Sequence, residues 1–267
     1  MSAGERGASA GDRGGEPAAD AVPGDDLLAA ARDLAAATAG GHFGPPTAMV
    51  YRPLEYAWEG HAAYLRKAGA VPKRVVFLGM NPGPWGMTQT GVPFGEVSLV
   101  RDWMGIEAPI GRPDPEHPKR PVEGFACQRS EVSGRRLWGL FRDRFGPATN
   151  FFRDHIVLNY CPLVFLEESG RNRTPEQLPV AEREPLEEAC DAHLRRVLGL
   201  LRPEWFVGVG GFAEKRLQRI SCPPERTLRI LHPSPASPAA NRDWAGAVTR
   251  TLLESGVWGE DGGDCQR

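Results

Sequence analysis

Two polar side chains that could take part in hydrolysis follow directly on short apolar runs. The amide Asn81 ends the segment VVFLGMN, and the imidazole His232 follows the run Thr227–Leu231. An amide orients water or reads a hydrogen-bonding edge, and an imidazole donates a hydrogen bond to growing negative charge. Ligands of open α/β sheets bind beyond the carboxyl ends of strands, so the two positions predict a ligand site. Taken alone, a histidine at a strand end is more often structural than catalytic.

Each run continues into a loop that carries few side chains. The first loop reads PGPWGMTQTGVPFG, and the second reads PSPASP. Glycine lets the backbone approach a ligand closely, and proline fixes a loop before the ligand arrives. Loops of this kind present backbone amides, which suit a flat ligand or a phosphate. The alternative for the first loop is an ordinary strand-to-helix turn, although such turns rarely use so many special residues.

Apolar, β-branched runs that alternate with helical patterns predict a parallel sheet to position these loops. The strand candidates are residues 74–78, 156–159, 205–209 and 228–231. The helix candidates are residues 26–39, 134–145, 184–201 and 212–220, with a further helix starting near residue 239. This alternation predicts right-handed crossovers and helices on both faces of the sheet.

Composition is consistent with one large domain between two short tails. The chain has 267 residues, of which 41% are hydrophobic. We expect a disordered acidic tail at residues 1–24, a single domain at 25–256 and a short disordered tail at 257–267. The total charge is −2, and because residues 1–26 carry −4 and 257–267 carry −2, the body carries about +4. Such a body can bind DNA with a strong dependence on salt.

Several classes of protein are excluded by the sequence. No apolar run approaches the length of a membrane span, and the charged start is unlike a secretory signal. The cysteines are Cys127, Cys161, Cys190, Cys222 and Cys265. Their odd number and wide spacing argue against a disulfide scaffold, a metal site or an iron–sulfur cluster, and predict reduced thiols in the cytoplasm. The GVGG run at 208–211 lacks the full GxGxxG spacing, so we expect no dinucleotide and no other cofactor.

The two loop motifs, with the segments between them, resemble a known family. GMNPGPWGMTQTGVPFG and HPSPASPAAN are similar to the two active-site motifs of the single-strand-selective monofunctional uracil-DNA glycosylases, within the uracil-DNA glycosylase superfamily. Matching segments lie between them, in the family's order, at residues 124–142, 159–179 and 207–216. The resemblance spans residues 46–256 and implies an α/β fold: a three-layer α/β/α sandwich with a short, mainly parallel central sheet.

The resemblance also implies an activity. It predicts a monomeric DNA repair glycosylase that hydrolyses the N-glycosidic bond of uracil, and of 5-substituted uracils such as 5-hydroxymethyluracil, in single- and double-stranded DNA. Its partner is DNA that contains uracil or modified uracil, in the nucleus of a eukaryote or at the nucleoid of a bacterium. It would initiate base excision repair by leaving an abasic site. Neither motif holds a lysine, which agrees with the absence of a Schiff-base step.

The two motif residues, Asn81 and His232, would carry out catalysis. Departure of the base leaves positive charge on the sugar and negative charge on the uracil, so a catalyst needs a positioned water and a stabilised anion. By the resemblance, Asn81 would orient the water, because an amide is not a strong base. His232 would hydrogen-bond the pyrimidine O2.

Recognition of the base would use residues from both motifs and from one further strand end. The substrate-binding residues that the resemblance implies are Met80, Gly83, Met87, Phe94, Asn159 and His232. Phe94 would stack on the base, whereas alone it would be a core residue. Asn159 would match N3–H and O4 of uracil and mismatch cytosine; alone it would as readily be a strand cap.

Two segments are expected to hold the DNA strand. The first set is Ser169, Gly170, Arg171, Asn172, Arg173 and Arg183, for which the alternative is a solvated loop. The second set, around the loop after His232, is Pro233, Ser234, Pro235, Ala236, Ser237, Asn241 and Arg242. Vertebrate members carry a bulky basic residue where this chain has Ala236. We therefore expect weak wedging into duplex DNA and a preference for single strands or U·G mismatches over U·A pairs.

Two other functions fit parts of the sequence. A catalytically silent lesion-binding module would keep the recognition residues but would not need both Asn81 and His232. A hydrolase of free nucleosides would not need the basic segment between residues 171 and 183.

Overall fold

The protein is described here by a computed structural model that covers residues 24–69, 72–220 and 222–259. The helices are α1 (Asp25–Ala39), α2 (Pro53–Tyr56), α3 (Trp58–Ala68), α4 (Met87–Thr90), α5 (Val132–Phe145), α6 (Ala148–Asp154), α7 (Val180–Leu201), α8 (Gly211–Arg219) and α9 (Pro238–Glu254). The strands are β1 (Met49–Tyr51), β2 (Val75–Gly79), β3 (His155–Asn159), β4 (Val164–Leu166), β5 (Asn172–Arg173), β6 (Trp205–Val209) and β7 (Thr227–Ile230). Residues 1–23 of the tail predicted at 1–24, and residues 260–267 of the tail predicted at 257–267, lie outside the described residues.

A parallel sheet with the strand order β3–β2–β6–β7 forms the centre of the fold. Every residue of β2 is buried, as expected of a central parallel strand. Phe77 in the middle of β2 packs on Phe141 of α5 and Phe151 of α6, with ring centroids 4.9 and 6.5 Å apart. The predicted three-layer α/β/α architecture is confirmed, and the four predicted strands lie within one residue of the observed ones.

A second, antiparallel sheet has the order β1–β4–β5 and was not predicted. Its strands are only two or three residues long, which is too short for a periodic pattern in the sequence. The β4–β5 hairpin carries residues 167–171 at its turn. The hairpin therefore brings Asn172 back towards the loop after β2.

The carboxyl end of the domain differs from the expectation that a tail begins at residue 257. Val257 and Trp258 are both buried. The Trp258 indole Nε1 lies 3.3 Å from Nε2 of His155. The guanidinium carbon of Arg144 lies 4.5 Å from the centroid of the Trp258 ring. The domain thus continues to Trp258, because a large aromatic ring closes the core beside β3.

Helix α7 also differs, since it begins at Val180 instead of residue 184. Pro185, one residue after the predicted start, lies inside the helix. No helix within the described ranges is long and apolar enough to cross a membrane.

Candidate active site

A pocket lies where the central strands end at their carboxyl edge. Its lining residues are Met80, Asn81, Pro82, Gly83, Gly86, Phe94, Glu131, Ser133, Asn159, Asn172, Thr174, His232 and Ser234. The sequence motifs that are 150 residues apart along the chain thus meet at one site, as the parallel sheet requires.

Pairing between β2 and β3 sets the relative positions of the pocket residues. Gly79 is in register with Asn159. Beyond the strands, the N–H of Cys161 donates to the carbonyl of Met80 at 2.8 Å, which continues the ladder by one step. Asn159 and the first residues of the loop after β2 are therefore held by backbone hydrogen bonds.

A hydrogen bond from its side-chain amide to the backbone orients Asn81. Its Nδ2 donates to the carbonyl of Leu163 at 3.2 Å. Among the described residues, its Oδ1 has no hydrogen-bond partner. The carbonyl end of the amide is therefore free to accept a hydrogen bond from a water molecule in the pocket.

His232 enters the pocket beside Phe94, with ring centroids 6.1 Å apart. Burial lowers its pKa below the ordinary 6.5, so the imidazole is neutral at pH 7 and has one N–H to donate. Gly210 makes room for it: a Cβ there would lie 3.2 Å from the His232 Cβ, and its φ of +91° favours glycine. The GVGG run thus makes room for the His232 side chain.

Asn159 presents an unsatisfied acceptor. Its Oδ1 is buried without a partner in the described structure, while its Nδ2 lies 3.4 Å from the Met87 sulfur. A buried amide oxygen without a partner is costly, and a ligand N–H would relieve that cost. Met87 itself is only 2% exposed and supports Asn159 from behind instead of lining the pocket.

Phe94 lines the pocket and depends on Gly79 for its position. It has a φ of 54°, which is unusual for a residue with a side chain. A Cβ on Gly79 would lie 2.4 Å from the Phe94 ring and 2.7 Å from the Asn159 oxygen. The last residue of β2 is therefore glycine because two pocket side chains occupy the space over it.

Glu131 is a carboxylate in the pocket wall that the sequence reasoning missed. Desolvation raises its pKa, and the backbone N–H groups of Trp85 and Ser133 partly offset that effect. A Cβ on Gly83 would lie 2.5 Å from its Oε2. Glu131 lies just before α5, in a segment that matched the family, but nothing in the local sequence showed that it faces Gly83.

The arginines of the first predicted DNA-binding segment differ in exposure and in ion pairing. Arg173 is 8% exposed and forms an ion pair with Glu167 at 3.7 Å, so its guanidinium is occupied inside the protein. Arg183 is paired with Glu187 at 3.4 Å. Arg171 is exposed and has no ion-pair partner among the described residues.

The other members of that segment lie at the hairpin. Ser169 is exposed and Gly170 is buried at the turn. The Asn172 Nδ2 donates to the carbonyl of Pro82 at 3.3 Å, and its buried Oδ1 has no partner within the described structure. Asn172 therefore belongs to the pocket wall, where it ties the hairpin to the loop after β2.

The second segment forms a loop that Arg136 of α5 holds in place. Its guanidinium donates to the carbonyl of Pro233 at 3.1 Å and to Asn241 Oδ1 at 2.8 Å. The Asn241 Nδ2 donates to the carbonyl of Pro235 at 2.9 Å, so both ends of this amide maintain the loop. The sequence contains no signal for Arg136, because its partners lie about 100 residues further along the chain.

The tip of this loop is small and exposed. Ala236 lies at the tip with its N–H 3.2 Å from the Ser234 hydroxyl. The Ser237 hydroxyl accepts from the N–H of Ala240 and caps α9. Arg242 is exposed one turn into that helix.

Comparison with known proteins yields a consistent set of similarities. The model of the Uracil DNA glycosylase superfamily matches residues 67–252. The chain is 52% identical over 212 residues to the single-strand selective monofunctional uracil DNA glycosylase of Bos taurus, covering 78% of each chain. It is 50% identical over 218 residues to the protein of that name from Mus musculus, covering 80% of this chain and 78% of that one.

One solved structure is similar in fold at low sequence identity. The crystal structure of wild-type SMUG2 from Pedobacter heparinus superimposes with a TM-score of 0.63 at 18% identity. The match covers 86% of this chain and 95% of that chain.

Proposed function

The chain belongs to the uracil DNA glycosylase superfamily as a monofunctional uracil-DNA glycosylase, and we propose that it excises both uracil and 5-substituted uracils such as 5-hydroxymethyluracil. The observation that carries the proposal is the set of free hydrogen-bonding groups in one pocket. These groups are the oxygens of Asn81 and Asn159 and the neutral imidazole of His232.

The free groups match the needs of the reaction one by one. The unsatisfied Asn159 oxygen can accept N3–H of uracil while its Nδ2 donates to O4. Cytosine offers an acceptor at N3 and a donor at C4, so it would leave both groups unpaired. Neutral His232 can donate to O2 as negative charge develops there, and the carbonyl of Asn81 can hold the attacking water.

Substituents at C5 need room in the pocket wall under this proposal. We place the C5 edge against Gly83 and Gly86, which contribute no side chain to the pocket. Glu131 covers these glycines and offers carboxylate oxygens there. A 5-hydroxymethyl group can donate a hydrogen bond to such an acceptor, whereas the methyl group of thymine cannot.

Single-stranded DNA is the preferred substrate under this proposal. The target nucleotide must leave the base stack, which costs a few kcal/mol in a duplex. Ala236 at the tip of the second loop fills little of the gap and brings no charge. Single strands and U·G mismatches should therefore be processed faster than U·A pairs.

The product and setting follow from the same chemistry. None of the residues described in the pocket wall is a lysine, so the proposed product is an abasic site without strand cleavage. We propose that the protein acts as a monomer and initiates base excision repair, in a nucleus or at a nucleoid.

Single-turnover excision of uracil from a single-stranded oligonucleotide tests the proposal. Asn81→Ala and His232→Ala should each lower the rate by about 10²-fold or more, because each removes a group that acts on the transition state. His42→Ala changes an exposed histidine and is the matched control. Tight binding of uracil-containing DNA without excision by the wild-type protein would instead indicate a lesion-binding module.

A further inference from the structure

Two arginines lie over the ring of Trp85, outside the pocket described above. The guanidinium carbon of Arg129 is 4.5 Å from the ring centroid, and that of Arg120 is 5.3 Å away. Trp85 belongs to the loop after β2, between the pocket-lining residues Gly83 and Gly86. The aromatic ring and its two cations therefore adjoin the base-binding pocket.

Both guanidinium groups lack a carboxylate partner among the described residues. Arg129 is exposed. The Nη1 of Arg120 donates to the carbonyl of Lys119 at 2.9 Å, and its Nε is buried without a hydrogen-bond partner in the same set of residues. The contrast is Arg226, which lies 4.9 Å from the ring of Trp205 but is paired with Glu204 at 3.1 Å. An arginine lies over four of the described tryptophans, which are Trp58, Trp85, Trp205 and Trp258. Among these four, only Trp85 adjoins the pocket and carries two arginines.

The positive charge continues from Trp85 to the β4–β5 hairpin. A Cβ on Gly170 would lie 3.2 Å from the Lys119 Cβ and 3.6 Å from the Arg120 guanidinium carbon. Arg171 follows directly and is exposed. Asn172 then bonds to Pro82 at the pocket wall. The cations thus form a continuous patch along one side of the pocket mouth.

We propose that Trp85, Arg120 and Arg129 form a binding site for a backbone phosphate of the DNA strand next to the excised nucleotide. The proposal rests on the proposed function only in taking single-stranded DNA as the ligand. A guanidinium that stacks on an aromatic ring is held in position, so the exposed Arg129 can offer its N–H edge for a bidentate contact with phosphate oxygens, and Arg120 adds a second positive charge beside it. Trp85 orders the two arginines before DNA arrives, which lowers the entropic cost of the contact.

Salt-dependent binding to a uracil-free single-stranded oligonucleotide tests this site without requiring excision. The double variant Arg120→Gln, Arg129→Gln should bind about tenfold more weakly at low salt. Its plot of log affinity against log salt should be shallower by about 0.7 for each phosphate contact that is lost. Arg226→Gln removes a tryptophan-stacked arginine at the amino end of β7 and should leave the slope at the wild-type value.

A second variant separates loss of the contact from loss of the fold. Arg120→Lys, Arg129→Lys keeps both charges but removes the fork, so the slope should stay and the affinity should fall. A wild-type slope in the glutamine double variant would overturn the proposal. If the wild-type protein excises uracil and the slopes do not differ, the phosphate site alone is wrong. If the slopes differ but no uracil is released, the proposed function fails and the phosphate site stands.

Discussion

The ionisation of His232 is decided by its surroundings in the pocket wall. Burial disfavours the imidazolium, so its pKa falls below 6.5 and the neutral form dominates at pH 7. A neutral imidazole stabilises the leaving uracil through one hydrogen bond, without the charge of a cation. Under the proposed mechanism, departure of the base is then the demanding part of the reaction, and Asn81 places the water.

The pH dependence of excision follows from that ionisation. The single-turnover rate should stay nearly level from pH 6.5 to about 8.5, because the neutral form of His232 predominates throughout that range. It should change only below pH 6.5, where the imidazole becomes protonated. His232→Gln is the control, and the change at acid pH should be absent from its profile. A rate that falls tenfold per unit above pH 6.5 would show that the cation is the active form.

Gly83 and Glu131 should be coupled energetically. A Cβ on Gly83 would lie 2.5 Å from the Glu131 carboxylate, so Gly83→Ala must displace that carboxylate from its position in the pocket wall. We expect Gly83→Ala to lower excision of 5-hydroxymethyluracil by about tenfold, an effect of roughly 1.4 kcal/mol. In a Glu131→Ala background the same substitution should have little effect. Equal effects in both backgrounds would show that the two residues do not interact.

At the scale of elements, helix α5 organises three parts of the site. Glu131 precedes it, Gly134 in its first turn touches the Phe94 segment, and Arg136 holds the loop after His232. A Cβ on Gly134 would lie 1.9 Å from the carbonyl oxygen of Phe94. The close approach of this helix to the loop therefore depends on one missing side chain.

Two glycines on α5 provide a matched test of that approach. Gly134→Ala should lower the free energy of unfolding by about 1–3 kcal/mol and lower excision by at least about tenfold, because Phe94 must move. Gly139→Ala should be neutral or stabilise by up to about 1 kcal/mol, since nothing lies within 4 Å of the new methyl group. Urea denaturation and single-turnover excision measure the two effects. Similar results for both variants would refute the contact between Gly134 and Phe94.

At the scale of the whole molecule, buried histidines limit stability in acid. Burial lowers the pKa of His61 and His193 to about 4 and that of His155 to about 3. In the neutral His155, Nδ1 can donate to the Phe151 carbonyl while Nε2 accepts from Trp258. Protonation would place an N–H against the indole N–H, which explains physically why the folded state keeps this ring neutral.

The free energy of unfolding should therefore decrease as the pH falls from 6.5 towards 4. The unfolded chain binds protons near pH 6.5 and the folded chain does not, so each histidine removes up to about 1.4 kcal/mol per pH unit. Urea denaturation at three pH values measures the slope. His193→Gln should make it shallower, whereas the exposed His42→Gln should leave it unchanged. A slope that is flat in the wild-type protein would contradict the shifted pKa values.

The central sheet and the motifs around its edge are predictable from the amino-acid sequence. Strands such as β2 are predictable because a short, fully apolar run followed by a glycine- and proline-rich loop is a local pattern. Asn81, Asn159 and His232 could be placed together because parallel strands end at one edge, and because their motifs resemble a family. These inferences need only neighbours along the chain and the rules of strand connection.

The side chains that complete the site are brought there by the packing of distant segments. Glu131 over Gly83, Arg136 at the second loop and the arginines over Trp85 depend on contacts between segments 35–105 residues apart. The same holds for Arg173. The basic segment around it predicted a DNA contact, but its guanidinium is buried in the protein and paired with Glu167. A linear pattern records the type of each side chain, whereas its partner is set by how the elements pack in three dimensions.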